Sequence, residues 1–207
     1  EGYTDVVDAD LSKYFDTIPH AELMQCVARR IVDRRVLHLI KMWLESPVAE
    51  RNEKGNWRYT GSSGKGTPQG GVISPLLANL YMNRFLKYWR LQEKGKQYRA
   101  KIVAYADDFV ILSRGCAEQA RDWTQTVMSR IGLTLNEQKT SIRDARTEDF
   151  DFLGYAFGPR WWWKTGRKYL AARPSPKSLK RLRQSVHDLL RPSLCAPWEE
   201  VRDQLNA

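Results

Sequence analysis

The run Lys101-Ile102-Val103-Ala104-Tyr105-Ala106-Asp107-Asp108-Phe109-Val110-Ile111-Leu112 decides the fold. Two short apolar stretches flank adjacent carboxylates, which reads as a pair of strands joined by a turn that carries Asp107 and Asp108. Acidic side chains are poor inside strands and costly to bury unpaired, so a doublet held there calls for a partner of opposite charge. The plainer alternative is that both bond to their own backbone as turn residues. These residues alone leave both readings open.

Working outward, Val6-Val7-Asp8-Ala9-Asp10-Leu11 is a second strand that ends in carboxylates. Asp8 and Asp10 point to the same face, with Asp8 deeper in the strand, while Asp16 lies beyond and is expected to cap the helix after Pro19. If this strand neighbours the hairpin, Asp10 and Asp107 meet across the sheet surface and can chelate one hard cation. Carboxylates gathered without a cation repel and raise one another's pKa, whereas Mg2+ takes oxygen ligands. Two such ions, about 4 Å apart, would activate a 3′-hydroxyl and steady a pyrophosphate leaving group in phosphoryl transfer.

Charge favours a polyanionic partner: 34 Lys and Arg against 24 Asp and Glu give a formal +10, with a pI near 9.6. Arg51, Lys54, Arg58 and Lys65 share one stretch, and a denser one runs from Arg160 to Arg191. Trp161, Trp162 and Trp163 are interleaved with the second, for base stacking or for a tightly packed hairpin. Cys26, Cys116 and Cys195 lack the spacing of a zinc site. No apolar run approaches a membrane span and no signal peptide is evident, so a cytoplasmic protein is expected.

Period and punctuation supply the remaining elements. Helices are expected from Pro19 or His20 to about Arg30, from an Asp33 cap to about Glu45, from a Ser74 cap to about Leu91, and from about Ala117 to Ile131, the first two packing on a sheet. A hairpin over 48–61 turns at Lys54-Gly55-Asn56, and a glycine-rich loop follows over 62–71. Phe150 to Phe157 reads as a strand with a glycine break, and a Trp-rich hairpin over 160–172 turns at Thr165-Gly166. Beyond Pro174-Ser175-Pro176, a basic helix from Lys177 to Leu190 turns Leu179, Leu182, Val186 and Leu189 inward, with a domain boundary near residue 174. The fold class is α+β.

Taken together, five blocks occur in order: Asp10-Leu11-Ser12-Lys13-Tyr14-Phe15-Asp16, Gly66-Thr67-Pro68-Gln69-Gly70-Gly71-Val72-Ile73-Ser74-Pro75-Leu76, Tyr105-Ala106-Asp107-Asp108, Gly132-Leu133 through Lys139-Thr140, and Phe152-Leu153-Gly154. In order and spacing they resemble bacterial group II intron reverse transcriptases, also called maturases. The resemblance implies a polymerase palm, an antiparallel sheet packed on helices, with part of the fingers over residues 1–173. It also implies the start of the thumb, or maturase domain, over 174–207.

By the same resemblance, Asp10, Asp107 and Asp108 are the catalytic, metal-holding carboxylates, with the Leu11 carbonyl as a backbone ligand. Two Mg2+ ions are implied, with Mn2+ as a substitute. Phe15 matches the gate under the nucleotide sugar, and Gln69, with Gly70 beside it, the loop against the nucleotide and templating base. Lys139 matches a lysine near the nucleotide, and Phe152, Leu153 and Gly154 the primer grip. Lys177, Lys180 and Arg181 fall where a thumb meets nucleic acid. Implied partners are an RNA template, a DNA primer, deoxynucleotide triphosphates and group II intron RNA. The family's upstream fingers are not found before Glu1, so this polypeptide alone is expected to lack full activity. Two alternatives remain: an RNA-binding splicing factor without polymerisation, and a related reverse transcriptase of a CRISPR or phage-defence system.

Overall fold

Alternating apolar residues build strands here, and wider apolar arcs build the helices that cover them. A computed structural model describes residues 2–51, 57–60, 64–68, 70–190 and 197–206. The chain divides into two compact units, Glu1–Arg143 and Asp144–Ala207. The division expected near residue 174 lies within the second of these.

The first unit opens with β1 (Asp5–Ala9), the single-turn α1 (Tyr14–Thr17), α2 (His20–Ala28) and α3 (Arg34–Glu45). Next come β2 (Val48–Arg51) and β3 (Trp57–Thr60), paired antiparallel with Val48 opposite Thr60. Their expected turn at Lys54-Gly55-Asn56 lies outside the described residues. Then follow α4 (Ser74–Leu91), α5 (Lys94–Gln97), β4 (Ala100–Tyr105), β5 (Asp108–Ser113), α6 (Ala117–Arg130) and β6 (Ser141–Asp144). One sheet has the order β4-β5-β1-β6, with β5 antiparallel to both neighbours.

One face of this sheet is apolar because period two sends alternate residues to it. Val7, Ala9, Leu11, Phe109 and Ile111 join a core with Tyr81 and Phe85 of α4 and Val127 and Met128 of α6. Phe85 meets Phe109 with ring centroids 5.3 Å apart. Two expected packings are corrected here, since α2 packs mainly on α4, and α3 on α2, instead of both lying on the sheet. The reason is the width of the apolar arc. Helix α4 buries Leu77, Ala78, Tyr81, Met82, Phe85 and Trp89 and so can be covered on two sides, whereas α3 buries only Ile40 and Leu44.

Caps are likewise partly as expected. Asp33 accepts a hydrogen bond from the Arg35 amide at 2.7 Å and starts α3. Asp16 does not cap α2: it lies inside α1, and the N-cap is Pro19 without a side-chain bond. Ser74 does not cap α4 either, because its hydroxyl donates to the Pro68 carbonyl at 2.7 Å and Ile73 takes the cap position. That bond closes the glycine-rich loop onto its own helix.

The second unit contains β7 (Phe150–Phe152), β8 (Tyr155–Trp161), β9 (Lys168–Pro174), α7 (Pro176–Leu189) and α8 (Trp198–Asn206). Its strands form a meander in the order β7-β8-β9. The expected strand with a glycine break is instead a hairpin, with Phe152 opposite Tyr155. Leu153 and Gly154 both have positive φ, 50° and 80°, the backbone that a two-residue hairpin turn favours. Ser175 caps α7 by accepting from the Ser178 amide. The leucine stripe of α7 does not face inward as expected: no residue of this helix is buried, and Leu182 is 60% exposed.

Candidate active site

Register brings the acidic strand ends together. In the β1–β5 ladder Asp8 lies opposite Val110 and Ala9 opposite Phe109, the last pair, so Asp10 and Asp108 each flank that pair at the same end of the two strands. Both lie on the face away from the helical core, because their neighbours Ala9 and Phe109 point into it. In the β4–β5 hairpin Tyr105 pairs with Asp108, leaving Ala106 and Asp107 as the two turn residues. Ala106 holds φ 54°, a left-handed conformation that costs a non-glycine residue free energy. Asp107 is thereby carried in the turn, next to Asp108 and at the strand end that Asp10 also flanks.

The three carboxylates feel one another. Partial withdrawal from solvent pushes the Asp108 carboxyl above its ordinary range, and the negative charges of Asp107 and Asp10 push it further. Counter-charge comes from Lys139, whose Nζ is 3.5 Å from Asp10 Oδ2. Backbone bonds keep these groups in place: the Asn136 amide donates to the Asp10 carbonyl at 2.8 Å, and the Ser12 amide to the Thr134 carbonyl at 2.9 Å. Leu11 is pinned between them, bridged to Leu135. A cleft of about 500 Å³ opens here, lined by Asp10, Leu11, Ser12, Lys13, Thr17, Thr134, Asn136 and Lys139.

This donor set has the chemistry for a hard divalent cation, namely carboxylate oxygens that repel until a positive charge joins them. Among the described residues, however, no three His, Cys, Asp or Glu side chains are gathered closely enough to hold a metal ion. The carboxylates stand as electrostatic neighbours, with an ammonium group beside one of them.

Phe15 is half-buried against the core, edge-on to Tyr14 with centroids 5.6 Å apart. Its carbonyl accepts from the Thr67 amide at 2.6 Å, and the Ile18 carbonyl from the Gly66 amide at 2.8 Å. His20 Nε2–H donates to the Gly66 carbonyl at 2.6 Å. The glycine-rich loop is therefore laced along the segment that carries Phe15. Gly70 is exposed with φ 86°, while Gln69 lies outside the described residues. In the second unit, Phe152 is half-buried, and Leu153 and Gly154 form the exposed β7–β8 turn. The Gly154 carbonyl accepts from the Ser175 amide at 2.8 Å and from the Ser178 hydroxyl at 2.8 Å. Lys177, Lys180 and Arg181 are exposed on α7.

Sequence reasoning passed over two contributors. Tyr14 donates its hydroxyl to the Ala78 carbonyl at 2.6 Å, tying α1 to α4; burial pushes its phenol pKa up, and the Asp107 charge adds to this. Lys13, beside it in the cleft, adopts φ 46°. Nothing local marks a lysine for that conformation. Asn136, by contrast, sits in the block that was read for Lys139, and its amide bond to Asp10 needs a long-range contact to be seen.

With this geometry in view, residues 1–157 match the family model described as reverse transcriptase (RNA-dependent DNA polymerase). The chain belongs to the reverse transcriptase family. Among curated proteins it is 33% identical over 181 aligned positions to Protein YkfC of Escherichia coli, covering 72% of this chain and 46% of that one. It is 25% identical over 211 positions to the group II intron-encoded protein LtrA of Lactococcus lactis, covering 72% and 34%. The chain thus spans under half the length of these relatives. Among solved structures, a telomerase from Candida tropicalis superposes with a TM-score of 0.61 at 14% identity, over 81% of this chain and 35% of that one, which shows a shared fold. The ordered blocks therefore lie in a member of the reverse transcriptase family that is similar to intron-encoded proteins. Among the described residues no helix is long and apolar enough to cross a membrane.

Proposed function

We propose that this chain carries the palm of an RNA-directed DNA polymerase, with α7 beginning the thumb, from a protein that also binds intron RNA and aids splicing. The observation that supports the reading is that Asp10 and the Asp107–Asp108 turn lie at the same end of the paired strands β1, β5 and β4, inside the matched family region. In this reading those carboxylates and the Leu11 carbonyl hold two Mg2+ ions, with Mn2+ as a substitute. The metal, when bound, supplies Lewis acidity for a primer 3′-hydroxyl and for the triphosphate.

The chain's own groups do the rest. Lys139 holds positive charge beside Asp10 and is placed to meet a phosphate of the incoming deoxynucleotide. Phe15 fills the space under its sugar. Gln69 and Gly70, on the loop laced to the Phe15 segment, face the nucleotide and templating base. Phe152, Leu153 and Gly154 steady the DNA primer, and Lys177, Lys180 and Arg181 contact nucleic-acid phosphates. The intron-encoded relative supports intron RNA as a partner.

The test is extension of a DNA primer on an RNA template in Mg2+ by the full-length protein. Asp107→Asn is expected to lower extension by about a hundredfold to a thousandfold, the range of single electrostatic contributions in active sites, while RNA binding stays close to that of the unmodified protein. Equal extension by the variant would overturn the assignment.

A further inference from the structure

We propose that the tip of the β8–β9 hairpin, formed by Trp161, Trp162, Trp163 and Tyr169 with Lys164, Arg167 and Lys168, is a stacking platform for single-stranded RNA. The proposal rests on the nucleic-acid-binding part of the function proposed above, and not on polymerisation. Trp161 is 67%, Trp162 47% and Trp163 82% exposed, so the rings of Trp161 and Trp163 are left largely to solvent although Trp162 packs on Tyr169 within the hairpin. Large aromatic rings left to solvent in a row mark a surface that is covered by something else.

Charge names the occupant. From Phe152 to His187 there is no Asp or Glu, while nine Lys and Arg are present. Two of these, Arg160 and Arg173, are held by the Asp149 carboxylate. Lys164, Arg167 and Lys168 at the tip form no ion pair among the described residues, and two of them lie against tryptophan rings. Lys168 Nζ is 5.8 Å from the Trp161 ring centroid and Lys164 Nζ 5.2 Å from that of Trp163. Aromatic faces interleaved with cations suit bases joined by phosphates, since each base can stack and each linkage can meet a charge.

A membrane surface fits this arrangement poorly. Trp161 and Lys168 form one cross-strand pair, and Arg160 and Tyr169 form the next, so successive pairs point to opposite faces of the hairpin. Trp162 packs on Tyr169 with centroids 6.3 Å apart. Rings and charges therefore occur on both faces, whereas a membrane-surface element gathers its apolar groups on one.

The experiment titrates fluorescently labelled single-stranded RNA, and DNA of the same base order, with the full-length protein and with its Trp161→Ala/Trp163→Ala variant. The expected result is RNA binding about tenfold or more weaker in the variant, with unchanged circular dichroism and most of the affinity restored by Phe at both positions. Intrinsic tryptophan fluorescence is expected to be quenched by RNA in the unmodified protein and less so in the variant. Equal RNA affinity of the two proteins would overturn the proposal, as would a loss confined to DNA. So would RNA binding that stays intact while association with phosphatidylserine–phosphatidylcholine vesicles is lost. Failure of the function proposed above reads out separately, as an unmodified protein that does not extend a primer.

Discussion

Asp108 shows what gathering carboxylates at one strand end costs the fold. Its carboxyl is pushed up first by partial burial and then by Asp107 and Asp10, so the folded chain holds that proton more tightly than the unfolded chain does. Ionising Asp108 therefore costs folding free energy, and the cost grows as pH rises from the ordinary carboxylate range through the raised pKa. Asp108→Asn is expected to raise the melting temperature by about 1 °C at neutral pH and low salt, a small effect because the group is solvent-screened. In thermal melts the gain should shrink as salt is added, and again as pH falls below the carboxylate range, where Asp108 is neutral anyway. A variant that melts lower at neutral pH would show that Asp108 is held by attraction and not repulsion. The carboxylates themselves were legible in the sequence. That Asp10 and the Asp107–Asp108 turn lie at the same end of neighbouring strands was not, because the register between β1 and β5 links residues about a hundred positions apart.

Among elements, the glycine-rich loop depends most on shape. Gly66 has φ +87°, and a Cβ there would meet the Asp16 carbonyl oxygen at 3.0 Å. Both the left-handed backbone and the close approach require glycine. Gly66→Ala is expected to cost about 1–3 kcal/mol in urea unfolding and to lower primer extension by loosening the loop from the Phe15 segment. A wild-type midpoint in the variant would show that the loop is not fixed by this contact. The sequence showed a backbone-shaped loop but not what it lies on. Short elements were missed for a related reason. A single-turn helix such as α1 or α5, or a polar edge strand such as β6, has too few residues for a period to emerge and forms because neighbours hold it. The Leu153-Gly154 turn was missed because leucine seldom takes a positive φ, and its geometry is sustained by the Ser175 and Ser178 bonds to Gly154.

For the whole chain, a formal charge of +10 favours polyanionic partners, whose binding would release their counterions. RNA affinity of the full-length protein is expected to fall by about tenfold or more between roughly 0.1 M and 0.3 M salt, as several phosphate contacts would require. Filter binding across a salt series checks this. A flat series would show that the basic residues do not meet phosphate.

The sequence by itself determined the α+β class, the main helices and strands, the acidic strand ends and the order of blocks that marks a reverse transcriptase. Such features are local, set by period, punctuation and residue type over a few turns or strands. Tertiary structure alone decided that the acidic strand ends share one end of the sheet, that Lys139 reaches Asp10, that α2 packs on α4 and α3 on α2, and that the tryptophan run stays exposed. Each of these follows from long-range register or from competition for buried surface, and a pattern read along the chain carries neither.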